Sequence, residues 1–237
     1  MIDILYIIAT NPSKNFDVEL KCSLRTVHKY VKDVGRIYIT GRCPDFINKD
    51  KVIFTPARDI GCPMINHWWK IKQTIARTDI GENFALMYDD IFFKKPVTLS
   101  EYKHYQQGKL MDNTYGGPAY RESIENTIKW LEERKFNTYD YELHIPFVYN
   151  RENFLSLEPI FSELKKDEHA MAVRSVYANM FNLETPYKHD VKIRKAFDTI
   201  DKQVMKQECL STTDNTFPIM AAPFIEPHIQ ERSQWEK

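Results

Sequence analysis

The stretch Phe84-Ala85-Leu86-Met87-Tyr88-Asp89-Asp90-Ile91-Phe92-Phe93 decides how the fold is read. Residues 84–88 form a short apolar run, the mark of a buried strand, and the run stops at two adjacent carboxylates. In an open α/β sheet, ligands collect outside the carboxyl ends of the strands. Two neighbouring aspartates at such an end repel each other unless something positive offsets them. A hard divalent cation does so, since Mg²⁺ takes one or two carboxylates plus substrate phosphates. Asp89 and Asp90 are therefore candidate metal ligands, for Mg²⁺ or Mn²⁺. The plainer alternative is a solvated turn.

Upstream of this strand the pattern is regular. Ile2 to Ala9 reads as a first strand ending at the loop signal Thr10-Asn11-Pro12. Leu20, Leu24, Val27 and Val31 recur at helical spacing, which predicts an amphipathic helix from about Asp17 to Lys32, with Gly35 beyond its end. Arg36–Thr40 and Lys51–Thr55 read as buried strands. Ile65, Trp68, Ile71 and Ile75 mark a second helix. Strands alternating with helices predict a largely parallel, Rossmann-type sheet with helices on its faces.

Downstream the pattern loosens. Gly116-Gly117-Pro118 marks a turn, Ile124, Ile128 and Leu131 a helix, and Glu142 to Tyr149 a strand or extended loop. Helices are predicted over 151–166, 168–182 and 190–206, which makes this part mainly helical. A short strand near Cys209–Ser211 follows, and Pro218, Pro223 and Pro227 mark 218–237 as an irregular tail. With no repeat or low-complexity linker, the chain reads as one domain over 1–237. Residues 1–96 form its ligand-binding half and 97–217 its catalytic half.

Composition excludes several classes. The 237 residues hold 33 Lys+Arg and 33 Asp+Glu, so this is no globally basic nucleic-acid coat. No run approaches the roughly 18–20 apolar residues of a membrane span. Cys22, Cys43, Cys62 and Cys209 include no C-x-x-C pair, which argues against a zinc knuckle. The apolar start contains Asp3 and no basic leader, so it reads as a strand and not a signal peptide. A reduced cytoplasmic protein is the expectation. The neutral total hides a basic excess in residues 1–80, which suits an anionic ligand.

Several segments together resemble one family. Tyr88 to Pro96 is similar to the strand-end "N-D-D-x-F-x-x-x-P" element of the Stealth family, with Tyr88 where that family carries Asn. Glu19 to Val27 resembles its "E-L-R-Y-S-L-R-S" helix. Arg36–Thr40 with Pro44–Asn48 resembles its "N-I-Y-I-V…P-x-W-L-N" stretch, and Ile2–Tyr6 its opening strand. His144-Ile145-Pro146 resembles the family's "H-M-P", Arg174-Ser175 its "S-R-F-R", and Leu210–Asn215 its closing segment. Stealth proteins are sugar-phosphate transferases. Asn66 and Lys70, four residues apart, fit the spacing in compact phage-type glycosyltransferases, some of which act on hydroxymethylated DNA bases.

The resemblance implies a metal-dependent transferase of GT-A type that uses a nucleotide-sugar donor, with a UDP-sugar favoured by analogy. The acceptor is a hydroxyl, and DNA is among the compatible acceptors. Asp90 and Asp89 would hold the metal. Arg25, Lys70 and Arg174 would clamp the diphosphate, with Asn66 on the same helix face as Lys70. Thr10 and Asn11 would meet the base or ribose. Asp214 and His144 are the candidates for general base. Attack at the anomeric carbon gives glycosyl transfer, and attack at phosphorus gives sugar-phosphate transfer. A non-catalytic nucleotide or nucleic-acid binding module is the reading from a different class.

Overall fold

Ile2–Ile7 forms the first strand, β1, and its alternating side chains divide the interior in two. Ile4, Tyr6 and Ile8 join one apolar cluster, while Leu5 joins the other with Ile7 packed against it. Helix α1 (Val18–Tyr30) covers the first cluster with Leu20, Leu24 and Val27. Strands β2 (Val34–Gly41) and β3 (Ile53–Pro56) follow. Helix α2 (Pro63–Arg77) covers the opposite face through Trp68 and Ile71. Strand β4 (Asn83–Met87) then returns to the centre. The expected order of the first ninety residues is therefore the observed one. This computed structural model describes residues 1–162, 170–183, 185–195, 206–221 and 229–237.

The main sheet has the order β3-β2-β1-β4-β6, parallel except for the edge strand β6 (Phe147–Asn150), which runs antiparallel to β4. β1 pairs with β2 on one side and β4 on the other. The connections leave β1 in opposite directions there, which makes the β1/β4 boundary the switch point where such sheets hold ligands. Gly41 closes the end of β2 against β1. Its φ is +125°, and a Cβ there would lie 1.9 Å from the Ile8 carbonyl oxygen, so only glycine fits.

A second, three-stranded sheet was not foreseen. β5 (Ile91–Phe93) pairs antiparallel with β8 (Cys209–Thr212), which pairs in parallel with β7 (Lys192–Ile193). The prediction of helix from residue 190 is corrected by β7, and residues 196–205 of that prediction lie outside the described residues. The helix expected over 151–166 is two short ones, α4 (Arg151–Leu155) and α5 (Glu158–Ser162). Asn150 caps α4 by accepting from the Glu152 and Asn153 backbone N–H groups. Pro159 can donate no backbone N–H, which breaks the ladder between the two helices. Residues 163–166 lie outside the described residues. The helix expected over 168–182 is α6 (Val173–Met180), and 168–169 lie outside them too. Before these, α3 (Pro118–Glu133) packs against α6, as the 124–131 pattern required.

The tail is irregular but anchored. Phe217–Ala221 makes one π-helical turn. Trp235 is buried, and the Asn48 and Lys237 backbone N–H groups bond the Trp235 and Phe46 carbonyls. Residues 222–228 lie outside the described residues.

Candidate active site

A cleft of about 440 Å³ opens at the β1/β4 switch point, on the α2 side of the sheet. Ile7 and Ala9 contribute from the end of β1, Tyr88 from the end of β4, and Asn66, His67 and Lys70 from α2. Glu142 and His144 enter from the extended segment before β6, and Arg174 from α6. Four residues singled out in the sequence, Asn66, Lys70, His144 and Arg174, therefore share one cleft.

Their roles differ. Asn66 closes a turn: its side chain accepts from Ile60 N (2.7 Å) and Gly61 N (3.1 Å) and donates to Gly61 O (2.6 Å). Lys70 is buried and donates to Ile8 O (2.6 Å) and to the Asp59 carboxylate. Asp59 also accepts from the Thr10 backbone N–H (2.8 Å). Burial opposes ionisation of Asp59, but the bonds from Lys70 and Thr10 outweigh it and hold its carboxyl below the usual range. Thr10 thus reaches the cleft wall through Asp59, while Asn11 is exposed on the same loop.

Arg174 is 1% exposed and donates through Nη1 to the Leu143 and Ile145 carbonyls. Its guanidinium lies 4.6 Å from the centroid of the Tyr88 ring. Among the described residues Nε and Nη2 have no hydrogen-bond partner. A buried cation with unused donors is costly unless an acceptor arrives. Beneath it, Tyr88 Oη and His67 Nδ1 are 2.9 Å apart, and Tyr149 Oη lies 3.3 Å from His67 Nε2. Burial, then the Arg174 charge, push the His67 pKa well below its ordinary value, so the ring is neutral.

His144 is held by Asp190: its backbone N–H donates to Oδ1 (2.8 Å), and Nδ1 lies 3.1 Å from Oδ2. Arg194 Nη2 also donates to Asp190 Oδ2 (2.9 Å). Burial disfavours the Asp190 charge, but the His144 bonds and Arg194 prevail and hold its carboxyl well below the usual range. With Nδ1 engaged by Asp190, Nε2 is the ring nitrogen left to take a proton from a substrate. Glu142, two residues away, accepts from Ser175 N (3.0 Å) and Ser175 Oγ (3.1 Å). Burial pushes the Glu142 pKa up to about 7, against the opposing pull of Arg174.

The acidic pair is not in this cleft lining. Asp89 is placed with Glu19 and Asp90, toward α1. Burial, then the Asp90 and Glu19 charges, raise the Asp89 pKa to about 7, while Lys192 opposes. Asp90 Oδ2 accepts from Lys192, and Asp90 Oδ1 is buried with no partner among the described residues. Among the described residues no group of three metal-ligating side chains converges. Two carboxylates with an orphaned oxygen and a raised pKa still fit a cation whose other ligands are phosphate and water.

Asp214 is exposed on the turn after β8, and its carbonyl accepts from Asn15 Nδ2 (3.1 Å), on the Glu19 side. Of the two candidates for general base, His144 lines the cleft and Asp214 does not. Arg25 lies outside the cleft as well. It makes a two-pronged bond to Glu236 (2.8 Å each) and a third bond to Ile229 O (3.2 Å). Its charge is thus spent on holding the chain's end.

Residues 190–192 connect the two groups. Asp190 fastens His144, and two residues on, Lys192 fastens Asp90. Both line a second, polar cavity of about 330 Å³ with Arg194 and Lys109. Sequence reasoning missed Glu142, Asp59, His67, Asp190 and Lys192. Only Glu142 carried a local signal, its i, i+2 relation to His144 in an extended segment.

No helix among the described residues is long and apolar enough to cross a membrane. No protein-family model matches the chain, and no curated protein matches it significantly.

Proposed function

We propose that this protein is a nucleotide-sugar-dependent glycosyltransferase whose donor diphosphate sits in the β1/β4 cleft. One observation carries the reading: Arg174, buried with two nitrogens that have no partner among the described residues, shares that cleft with a histidine whose Nδ1 is held by a buried carboxylate. Arginine donors complement phosphate oxygens in pairs. His144 Nε2 takes the proton of the acceptor hydroxyl as it attacks the sugar's anomeric carbon. Asp190 holds the ring and offsets the imidazolium that forms. Lys70, ion-paired with Asp59, braces the wall facing the donor. Asp89 and Asp90, which lie outside this cleft lining, are the residues that would hold Mg²⁺ or Mn²⁺, an ion that would supply charge compensation to a diphosphate reaching their end of the strand. The motif resemblance to Stealth proteins supports the same donor class. It also favours a second reading, attack at phosphorus to transfer a sugar phosphate.

A donor screen tests both readings. The protein is incubated with nucleotide sugars, Mg²⁺ or Mn²⁺, and either oligosaccharide or hydroxymethylated DNA acceptors, followed by mass spectrometry. Release of nucleoside diphosphate with a hexose added to the acceptor is the expected result. Release of nucleoside monophosphate with a hexose phosphate added selects the second reading. Consumption of no donor, together with DNA binding that weakens steeply with salt, would replace both by a binding module.

A further inference from the structure

On the far side of the 139–144 segment lies a separate cavity of about 320 Å³ that the proposed reaction does not use. That volume is within the range of roughly 300–1,000 Å³ typical of small-ligand sites. Its lining among the described residues differs in kind from the main cleft. Apart from Ala178 and Leu183 it consists of amides, a hydroxyl and tyrosines, with no carboxylate or amine among the described residues. Lys109 lies 3.9 Å from the centroid of the Tyr139 ring and is absent from the lining.

The frame is fixed. Asn179 Oδ1 accepts from Tyr139 N (3.0 Å) and Nδ2 donates to Tyr139 O (2.8 Å), which pins the tyrosine backbone to α6. Tyr141 Oη donates to Leu183 O (2.8 Å) and accepts from Thr185 Oγ1 (3.3 Å). At the C-terminus of α6, Leu183 N bonds Ala178 O (2.9 Å) and Asn182 N bonds Asn179 O (3.2 Å). These two bonds form a Schellman cap with Asn182 in the left-handed region at φ +47°. Over this frame stand the exposed amides of Asn137 and Asn182, whose side chains have no hydrogen-bond partner among the described residues.

Free neutral donors and acceptors beside aromatic rings match a ligand rich in hydroxyl groups. A charged ligand finds no counter-ion among the described residues of that lining, and a purely apolar one would strip the amides of water without replacing it. We infer that this cavity is a second, non-catalytic carbohydrate-binding site that takes one end of a neutral oligosaccharide chain. Its chemistry stands apart from the donor cleft and does not rest on the transferase reading.

The test is saturation-transfer NMR and calorimetry on the full chain with neutral malto-, cello- and chito-oligosaccharides. Asn137→Ala and Asn182→Gly are the variants. Glycine is at least as good as asparagine in the left-handed cap, so Asn182→Gly removes the amide and keeps the helix end. At least one oligosaccharide series should bind saturably, and the double variant should weaken it 10-fold or more with nucleoside diphosphate binding unchanged. If none of the series binds, or the double variant binds as tightly as the wild type, the site is refuted. Loss of nucleotide binding in Arg174→Lys leaves this result untouched, so the two proposals fail separately.

Discussion

His144 and Glu142 sit two residues apart on one extended segment and face the same cleft, but their surroundings separate their chemistry. His144 has a buried carboxylate behind it, while Glu142 has mainly burial acting on it. His144→Ala should reduce turnover about 10²–10⁴-fold, the usual worth of a positioned general base, with little change in donor affinity. Steady-state kinetics beside a donor titration checks this, and a variant of full activity would remove the role. Glu142 makes a prediction about stability. Its pKa is about 7 in the fold against an ordinary 4.5, so between those values the folded chain keeps a proton that the unfolded chain has lost. Stability from this group therefore falls as pH rises through that window and is level above it. In thermal unfolding, the Tm of Glu142→Gln relative to wild type should become more positive by a few degrees from about pH 5 to pH 8. A difference that stays flat with pH contradicts the assignment.

At the scale of elements, legibility followed the range of the interactions. β1, α1, β2, β3, α2 and β4 could be read because each declares itself within a dozen residues, through apolar runs or helical spacing. The three-stranded sheet could not. β7 has two residues and β5 three, and the pairings Ile91↔Ser211 and Lys192↔Ser211 join segments far apart in sequence with no periodic mark. The site obeys the same rule. Asn66 and Lys70 were visible as one helix face, but the Asp190 partner of His144 lies 46 residues away and the Lys192 partner of Asp90 lies 102 away. Those contacts exist only once β7 is placed. A strand-end prediction belongs at this scale. Gly41→Ala places a Cβ against the Ile8 carbonyl at a left-handed φ, and should destabilise the fold by about 2 kcal/mol or more in denaturant unfolding. A cost below about half a kilocalorie per mole would mean that the β1 and β2 ends can part freely.

Across the whole molecule, the chain's last residues return to its first helix. Arg25 on α1 holds Glu236, which also accepts from the Ser233 backbone N–H (2.9 Å), and Trp235 is buried alongside. A motif resemblance made Arg25 a phosphate ligand, whereas the fold makes it an anchor. Glu236→Ala should therefore lower stability by about 1–3 kcal/mol and leave donor affinity unchanged. Equal stability, or a loss of donor binding, would reverse that assignment. The neutral net charge is likewise a sum of local fields, one at the β1/β4 cleft and one at the Asp89–Asp90 end, linked by residues 190–192.

The proposed function turns on the unpartnered nitrogens of Arg174 receiving the phosphates of a nucleotide. Calorimetric titration of uridine diphosphate with Mg²⁺ into wild type and Arg174→Lys tests it directly, because lysine keeps the charge and loses the planar fork. Saturable binding to the wild type, weakened at least 10-fold in the variant at an unchanged unfolding midpoint, is the predicted result. Absence of binding to the wild type, or equal affinity in the two proteins, would contradict it.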